Sequence, residues 1–428
     1  MPSTSLRQTM QSKDMIHRIP HLLRIVTGML ILVQTAFADL HIATPSRLDD
    51  VLATARAHDT VIIDGLHRGS SFRVTRPLVI IGHKAIVDAE GRGGSVFTIS
   101  SDSVEIRNVT IRNVRVDYTE DNAAIKLDAV RHVVVASCTV DNGFFGIYLS
   151  RSRDCTITGN VLRSRSRDES SSGNGIHLWT SVNISITDNH CEGWRDGIYF
   201  EFVHRGTVRN NTSTNNVRYG LHFMFSDSCT YADNAFLRNG AGVAVMFTRW
   251  ILMERNRFAD NWGAASYGLL LKEITDCHLR DCVFEGNSIG IHAEGSMRML
   301  VESTRFIGNG YAVRILGNCT DNTVTTCEFD GNTFDVTTNT SSSLNDFDGN
   351  YWSAYRGYDL DRDGTGDVAH TPVRLYAYLV ESIPSSILLM HSTFIDVLDV
   401  IERMLPSITP RNLIDRRPLM IPYRRAGT

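Results

Sequence analysis

The sequence has no strong excess of charge of either sign, because its formal net charge is −4 over 428 residues. Nucleic-acid-binding domains usually carry a marked positive charge, so this balance argues against a nucleic-acid partner. A hydrophobic content of 42% and a charged content of 21% also argue against a disordered chain. The G-x-x-x-x-G-K-[ST] string of a phosphate-binding loop does not occur, so any nucleotide energy must come from another chain.

Long apolar runs are scarce, and the run near the start, residues 25–33, is too short to span a membrane as a mature helix. Basic residues precede this run, and Ala-Phe-Ala follows it at positions 36–38. This order is typical of a secretory signal peptide. We therefore predict that residues 1–38 are a signal peptide, that the mature chain begins at Asp39, and that the protein is exported.

The central part of the chain repeats one cassette of about 22 residues, which is typical of a stacked solenoid. Each cassette begins with a small residue, continues as two strands of alternating apolar and polar residues, and ends at a polar corner. Since no segment within it has helical spacing, the repeats predict parallel strands stacked coil on coil. The predicted fold class is all-β, a right-handed parallel β-helix, with the hand taken from the general rule for parallel crossovers. The clearest copies begin at Gly146, Gly175, Gly197, Gly220, Gly242, Gly268 and Gly290.

One corner of the cassette carries an asparagine at the same position on successive coils. Stacked asparagines pair their side-chain amides and satisfy backbone groups, so we predict a ladder at this corner. Cysteines also recur in register, but mostly on coils too far apart for a disulfide. We predict buried free thiols, with disulfides or thiolate metal ligands as the alternative. The predicted ladder consists of Asn160, Asn189, Asn211, Asn234 and Asn256.

Changes of pattern at both ends define the predicted domain bounds. Residues 45–57 have helical spacing, so residues 39–60 are predicted to form an N-terminal helical cap over the first coil. The parallel β-helix is predicted over residues 61–340. An Asp-rich loop follows over residues 341–374, and a helical and basic C-terminal extension occupies residues 375–428.

The C-terminal extension has the apolar spacing of an amphipathic helix, but its Ser, His and Asp residues argue against a membrane span. Packing on the β-helix as a cap and docking on another protein are both open. The arginine-rich end is predicted to become ordered only on binding an anionic membrane surface or an acidic partner. The apolar face consists of Ile387, Met390, Phe394, Leu398, Ile401 and Leu405, and the arginines are Arg411, Arg416, Arg417, Arg424 and Arg425.

Two columns of side chains on the glycine-led strands are predicted to point outward, because side chains alternate between the two faces of a strand. The first column, two residues after each lead glycine, consists of Tyr148, His177, Tyr199, His222, Ala244, Leu270 and His292. The second column, four residues after it, consists of Trp179, Glu201, Met224, Met246, Lys272 and Glu294. We refer to the two columns together as the stripe.

Three residues of the stripe form a candidate copper site. His222, Met224 and Met246 are expected within about 5 to 7 Å of one another on adjacent rungs. Imidazole and thioether groups are ligands that suit Cu(I). The alternative is that loops or a partner cover the stripe, so that these three side chains are packed and bind no metal.

The spacing of the charged residues in the stripe also bears on whether the protein is an enzyme that acts on polysaccharides. A glycoside hydrolase needs two carboxylates about 5 to 9.5 Å apart. Glu201 and Glu294 lie four coils apart, about 19 Å at the usual strand spacing, which argues against a hydrolase. A lyase or epimerase that uses Lys272 or Arg195 as its base, or a polysaccharide-binding protein, remains the alternative function.

The Asp-rich loop resembles the beginning of a calcium-binding loop. Asp359, Asp361, Asp363 and Asp367 follow the D-x-D-x-D-G pattern, in which alternating carboxylates converge on a hard cation. The position of the usual closing Glu is taken by His370. Calcium at the four aspartates is therefore predicted as one of two alternatives, the other being a solvated turn.

Several unusual strings resemble those of the NosD family, the maturation proteins of nitrous-oxide reductase. They are GIYFEF, RYGLHFMFSD, GAGVAVMF, ASYGLLLK, GNYWS, DLDRDGTGDV and RRPLM, and they occur in the family's order along nearly the whole mature chain. The resemblance implies a periplasmic accessory protein of an ABC transporter that associates with the transporter's membrane and ATPase subunits. It also implies a requirement for this protein in assembling the copper centres of nitrous-oxide reductase. No family catalytic residue exists to carry over.

This resemblance gives the stripe two alternative roles. A copper relay would bind Cu(I) transiently at His222, Met224 and Met246. A scaffold that touches no metal would use the stripe to dock a copper chaperone or nitrous-oxide reductase. The residues predicted to bind the partner are His177, Tyr199, Glu201, Lys272 and His292.

Overall fold

The computed structural model describes residues 38–117, 119–165, 169–170, 172–263, 266–340, 342–390, 392–405 and 413–422. Residues 1–37 of the predicted signal peptide lie outside the described residues, as do Arg411, Arg424 and Arg425. Within the described residues, no helix has both the length and the apolar character needed to cross a membrane.

The described chain is a parallel β-helix, as predicted, with one sheet of 24 strands and one of 12 strands. Each strand pairs in parallel with the equivalent strand of the next coil. The strands in chain order are β1 (Leu40–Ala43), β2 (Thr60–Arg68), β3 (Phe72–Val74), β4 (Val79–Asp88), β5 (Phe97–Ile99), β6 (Glu105–Arg112), β7 (Ala123–Asp128), β8 (Val134–Ala136), β9 (Thr139–Asp141), β10 (Phe145–Ser150), β11 (Thr156–Thr158), β12 (Val161–Arg163), β13 (Ile176–Trp179), β14 (Ser185–Thr187), β15 (His190–Glu192), β16 (Asp196–Glu201), β17 (Thr207–Arg209), β18 (Thr212–Thr214), β19 (Tyr219–Met224), β20 (Thr230–Ala232), β21 (Ala235–Leu237), β22 (Ala241–Met246), β23 (Arg249–Glu254), β24 (Arg257–Ala259), β25 (Tyr267–Lys272), β26 (Thr275–Arg280), β27 (Val283–Glu285), β28 (Ile289–Glu294), β29 (Leu300–Glu302), β30 (Arg305–Ile307), β31 (Tyr311–Ile315), β32 (Thr320–Thr325), β33 (Glu328–Asp330), β34 (Phe334–Thr337), β35 (Leu344–Asp348) and β36 (Tyr351–Trp352).

The smaller sheet carries the stripe, because it contains the glycine-led strands. Its members are β3, β5, β7, β10, β13, β16, β19, β22, β25, β28, β31 and β34. A side chain at the lead glycine has no room: a Cβ on Gly220 would lie 2.6 Å from the carbonyl oxygen of Gly242 on the next coil. The small residue that opens each cassette therefore allows the coils to approach one another.

The interior is filled by side chains that repeat from coil to coil. Aromatic rings of successive coils stack in the core, with centroids as close as 4.1 Å between Phe329 and Trp352. Burial and ring stacking together stabilise adjacent coils in one register. The stacked rings are Phe236, Phe258, Phe284, Phe306, Phe329 and Trp352.

The predicted asparagine ladder is present. Asn189 donates both its backbone N–H and its side-chain amide to Oδ1 of Asn211, at 2.9 and 3.0 Å, and this pattern repeats along the ladder. A second ladder, which the sequence analysis missed, lies at another corner and consists of Asn216, Asn239, Asn261, Asn287, Asn309 and Asn332. The two ladders satisfy buried backbone groups that would otherwise lack partners.

The eight cysteines are all buried, and none of them forms a disulfide in the described chain. The thiol of Cys155 donates to the carbonyl oxygen of Arg153 at 3.2 Å, and similar contacts recur at other coils. Burial raises the pKa of the Cys229 thiol to about 12, so this side chain stays neutral. The cysteines therefore fill the core as small apolar side chains.

The β-helix extends beyond both of its predicted ends, residues 61 and 340. At the start, β1 already pairs with β2, so strand pairing begins at Leu40 within the segment predicted as a cap. The helix α1 (Leu48–Thr54) follows β1 and buries Leu48 and Leu52 over the first coil. At the other end pairing continues to Trp352. These outermost strands are short and interrupted, so alternation alone does not reveal them.

The C-terminal extension is not one continuous helix. It consists of α2 (Leu375–Ser382), a 3-10 helix (Pro384–Leu389) and α3 (Thr393–Met404). Pro384 lacks a backbone N–H, so the first helix ends before it. The predicted apolar face is therefore divided: Met390 and Leu398 pack near Phe334 of the last coils, whereas Phe394, Ile401 and Leu405 are exposed.

The segment 413–422 of the basic end packs against the last coils of the β-helix, and the expected ordering of this end on binding a partner stays a prediction. Asp415 is completely buried and accepts hydrogen bonds from the backbone N–H groups of Gly349 and Asn350, each at 2.9 Å. Arg417 forms an ion pair with Asp348. The tail thus closes the last coil rather than remaining a free basic segment.

Candidate functional site

The two columns of the stripe have the predicted register. His177 pairs with Tyr199, Tyr199 pairs with His222, and His222 pairs with Ala244 on successive coils of the smaller sheet. In the second column Met224 pairs directly with Met246. The parallel stacking therefore places the candidate copper ligands on adjacent rungs.

The first column is buried, although its side chains were predicted to point outward from the sheet. Its rings stack on one another, with centroids 4.7 Å apart between Tyr148 and His177 and between His177 and Tyr199. Tyr219 packs on His222, and Tyr267 packs on His292. The column is covered because aromatic side chains from neighbouring positions lie over it, as the packing alternative anticipated.

The second column is half-buried, so part of it remains accessible. The hydroxyl group of Tyr199 lies 3.8 Å from Sδ of Met224 and 3.3 Å from a carboxylate oxygen of Glu201. Lys272 forms an ion pair with Glu294 at 3.5 Å. The two methionines therefore lie between a carboxylate on one side and an ion pair on the other.

A cluster of charged side chains, centred on the buried Asp196, contacts the imidazole ring of His222. The guanidinium of Arg218 donates to both carboxylate oxygens of Asp196, at 2.6 and 3.0 Å. Nδ1 of His222 lies 3.6 Å from Asp196 and 3.5 Å from Arg218. Burial alone would raise the pKa of Asp196, but the interactions with His222 and Arg218 outweigh it and hold the pKa below its usual range.

The donor set around His222 fits a soft monovalent metal ion. Nε2 of His222 is buried and has no hydrogen-bond partner within the described residues. A buried polar nitrogen without a partner is costly, and a metal ion is one group that would satisfy it. The carboxylate of Asp196 beside Nδ1 is the kind of partner that orients a metal-binding histidine.

Two further histidines of the first column are neutral at ordinary pH. Burial lowers the pKa of His177 to about 3, and Nδ1 of this ring contacts the side-chain amide of Asn174 at 2.8 Å. Burial also lowers the pKa of His292 to about 4, and its Nδ1 has no partner in the described part of the chain. Both rings are enclosed, so a docking partner would not touch them directly.

A ridge of three exposed phenylalanines borders the stripe, and the sequence analysis missed it. Phe202, Phe225 and Phe247 follow the second column by one residue and are 44%, 40% and 36% exposed. Their rings stack at centroid distances of 5.2 Å. All three have positive φ, between 49° and 54°. The signal was available, because the other coils carry polar residues or glycine at this corner: Arg151, Thr180, Glu273 and Gly295.

The residues considered for polysaccharide cleavage do not form a reactive pair. Lys272 is paired with Glu294, and Arg195 lies 3.8 Å from the buried carboxylate of Asp196. Glu201 and Glu294 are separated by the rungs of Met224, Met246 and Lys272. The geometry therefore gives no specific support for a lyase or a hydrolase at the stripe.

The Asp-rich loop brings together three of its four predicted ligands. Carboxylate oxygens of Asp359, Asp361 and Asp363 lie within 4.8 Å of one another. The carboxylate of Asp367 instead accepts a hydrogen bond from the backbone N–H of Leu360 at 2.7 Å. His370 is half-buried against Trp352, and desolvation lowers its pKa to about 4. Calcium binding by the three clustered aspartates stays a prediction.

Comparison with protein families and with known proteins gives consistent matches. Residues 163–357 match the family model described as "Periplasmic copper-binding protein (NosD)", and residues 79–171 match "Right handed beta helix region". A "Probable ABC transporter binding protein NosD" of Pseudomonas aeruginosa is 30% identical over 86% of this chain and 92% of its own length. A protein of the same name from Stutzerimonas stutzeri is 28% identical over 78% of this chain and 80% of its own length.

Solved structures with the same fold have varied activities. A mannuronan C-5 epimerase module of Azotobacter vinelandii aligns with a TM-score of 0.50 and 16% identity, covering 71% of this chain and 87% of its own. PfbA, a surface adhesin of Streptococcus pneumoniae, aligns with a TM-score of 0.55 and 10% identity, covering 69% and 88%. At such low identity these matches show the fold alone. The two relatives, by contrast, cover most of the chain, and the protein belongs to the NosD family.

Proposed function

We propose that this protein is a periplasmic accessory protein of an ABC transporter complex and is required to assemble the copper centres of nitrous-oxide reductase. Family membership supports this role, because the relatives are named as ABC transporter binding proteins and the family is described as periplasmic and copper-binding. The pattern at the start of the sequence, which is typical of a signal peptide, agrees with export. In this role Cu(I) is cargo that the protein receives and passes on.

The observation that carries a direct copper role is the unpartnered Nε2 of His222 beside two methionines in register. Thioether sulfur is a soft ligand that favours Cu(I) over harder divalent ions. Met224 and Met246 are half-buried, so an incoming ion can reach them from the surface. His222 lies deeper and would complete the ligand set.

The charges of Arg218 and Asp196 beside His222 affect how readily Cu(I) can bind there. The Arg218 guanidinium on its own would repel a copper ion, but the carboxylate of Asp196 neutralises it at 2.6 Å. Asp196 also orients the imidazole ring through Nδ1. Arg195 also lies 3.8 Å from Asp196, so this carboxylate offsets part of the positive charge that would otherwise repel Cu(I).

A second role, as a docking scaffold that binds no metal, is favoured by the phenylalanine ridge. The three rings face one another, so only their edges project outward, and such a ridge fits an apolar groove on another protein. The proposed occupants are a copper chaperone or nitrous-oxide reductase. Glu201 and the Lys272–Glu294 ion pair would form the polar border of this surface.

The transporter's membrane and ATPase subunits are the other proposed partners. Of the C-terminal elements, α3 is the candidate for contact with the membrane subunits, because it leaves several large apolar side chains exposed. These side chains are Phe394, Val397, Val400, Ile401 and Met404.

Replacement of both stripe methionines by leucine separates relay from scaffold. Leucine keeps the volume and apolar character of methionine but cannot bind copper, so the surface shape is preserved. The purified protein is titrated with Cu(I), and reductase activity is measured in cells that produce the double variant Met224→Leu, Met246→Leu. Met297→Leu, a half-buried methionine outside the stripe, is the matched control.

A relay requires that Cu(I) binding and reductase activity are both lost in the double variant and kept in the Met297→Leu control. A scaffold requires that the double variant still yields active reductase. Absence of saturable Cu(I) binding by the unaltered protein would remove the relay from consideration.

A further inference from the structure

A polar cleft of about 580 Å³ opens on the smaller sheet at the N-terminal coils, next to the stripe. Outward side chains of β3, β5 and β7 form its floor, and the loop before β7 forms one wall. On successive coils Arg73 pairs with Thr98, and Thr98 pairs with Lys126. Lys126 pairs in turn with Tyr148, the first residue of the stripe. The cleft therefore continues the face that carries the stripe.

Two cations in this cleft lack a carboxylate partner. Within the described residues neither Arg73 nor Lys126 has an ion-pair contact, although both line the cleft. The ammonium group of Lys126 lies 5.2 Å from the ring centroid of Tyr148. The carboxylate of Asp128, which also lines the cleft, instead forms an ion pair with Arg151 at 2.6 Å. The floor thus presents two positive charges on alternate rungs, about 10 Å apart at the usual strand spacing.

A buried amide also points to a ligand. Asn122 lines the cleft and is only 3% exposed, yet its Nδ2 has no hydrogen-bond partner in the described chain. An unpaired buried donor costs roughly 1 to 3 kcal/mol, so an oxygen atom brought by a ligand would relieve this cost. The cleft is also lined by hydroxyl groups, those of Ser71, Thr75, Ser95, Thr98 and Ser100.

We propose that this cleft binds an acidic saccharide, a sugar chain that carries uronate carboxylates. Arg73 and Lys126 pair with the carboxylates, and Asn122 donates to a sugar oxygen. The loop carboxylates of Glu120 and Asp121, which also line the cleft, accept hydrogen bonds from sugar hydroxyls.

The lining favours a saccharide over a peptide. A peptide strand usually binds by adding backbone hydrogen bonds to a free sheet edge, but β5 and β7 are each paired on both sides. The end strand of this sheet, β3, has the helix α1 packed against it. The lining residues are all polar or glycine, so no apolar pocket receives a peptide side chain. A ligand held here must bring many polar groups of its own. This inference does not depend on copper binding at the stripe.

The test is calorimetric titration of the purified full chain with trigalacturonate. Maltotriose serves as the neutral probe, and a hexaglutamate peptide serves as the acidic peptide probe. The variants are Arg73→Gln with Lys126→Gln, which removes both charges from side chains at the surface, and Asn122→Asp, which removes the amide donor. Arg131→Gln, an exposed arginine outside the cleft, is the matched control.

We expect saturable binding of trigalacturonate, with Kd raised at least tenfold by the double variant and by Asn122→Asp but unchanged in Arg131→Gln. Absence of saturable binding by the unaltered chain overturns the proposal, as does binding that survives the double variant. Equal binding of maltotriose excludes recognition of the carboxylate, and preference for hexaglutamate excludes a saccharide. If Asn122→Asp does not fold, the surface double variant still decides the outcome.

Discussion

The carboxylate of Asp415 accepts a hydrogen bond from the indole N–H of Trp352 at 2.9 Å, and this contact joins the C-terminal tail to the last coil. The same carboxylate accepts the backbone N–H of Asn350, in the way that Oδ1 of Asn350 accepts the backbone N–H of Cys327 one coil earlier. Asp415 therefore occupies the position of the next asparagine at this corner. Its carboxylate accepts hydrogen bonds from the backbone N–H groups of the last coil.

Asp415→Ala is expected to lower the free energy of unfolding by about 2 to 4 kcal/mol, because several buried donors lose their acceptor together. Asp415→Asn should cost less, since the amide oxygen still accepts. Urea unfolding followed by circular dichroism measures both. The control is Asp346→Ala, which removes an exposed carboxylate from the same coil. Equal stability of Asp415→Ala and the control would show that the tail does not close the β-helix.

Stability should fall as the pH falls from about 6.5 toward 4. Burial lowers the pKa of His177 to about 3, whereas the unfolded chain has the ordinary value of 6.5. Between these two values the unfolded state binds the extra proton, so the free energy of unfolding rises with pH, by about 1.4 kcal/mol per unit for this group. His177→Phe keeps a ring in the stack and should reduce the slope.

The measurement is urea unfolding at pH 7.0, 6.0 and 5.0 for the unaltered chain and His177→Phe. His292 and His370 have pKa values lowered by burial to about 4, so they maintain part of the slope in the variant. His132→Phe, at an exposed histidine, is the control. An unchanged slope in His177→Phe would mean that burial does not lower the pKa of His177 below its value in the unfolded chain.

Disruption of the phenylalanine ridge should weaken partner binding with little effect on folding. Phe225→Asn removes the central ring but places at this positive φ a residue that adopts it readily. We expect stability to change by less than about 1 kcal/mol, because loss of ring stacking and relief of backbone strain oppose each other. Binding to purified reductase or copper chaperone, measured by interferometry, should weaken at least tenfold. Trp262→Asn, at an exposed ring elsewhere, should leave binding unchanged.

Polar substitution on α3 should release the protein from the transporter's membrane subunits. Phe394→Ser with Val397→Ser changes two exposed apolar side chains, so the free energy of unfolding should change by only about 0.5 kcal/mol per site. Asp396→Asn on the same helix is the control. Co-purification with the membrane subunits is the measurement, and undiminished co-purification of the double variant would reject α3 as the contact. Deletion of residues 375–428 is a poorer test, since it also removes Asp415.

Much of this fold was predictable, because the period of the repeat determines which residues of successive coils lie side by side. Once the lead glycines are aligned, positions such as His222 and Ala244, or Met224 and Met246, must lie side by side on adjacent coils. The first asparagine ladder follows from the same alignment. The second ladder was equally predictable, because Asn216, Asn239, Asn261, Asn287 and Asn309 each stand 19 residues after a lead glycine, but it was missed in the sequence.

The sequence by itself determined the stacking direction, the columns and their neighbours, since each follows from the period of the repeat. Only the tertiary structure decided that the first column is buried, that Asp196 and Arg218 support His222, and that Asp415 closes the last coil. It also decided that Arg73, Lys126 and Asn122 share one cleft. These relationships join side chains whose directions are set by local packing, or segments far apart in the chain, and no periodic pattern encodes either.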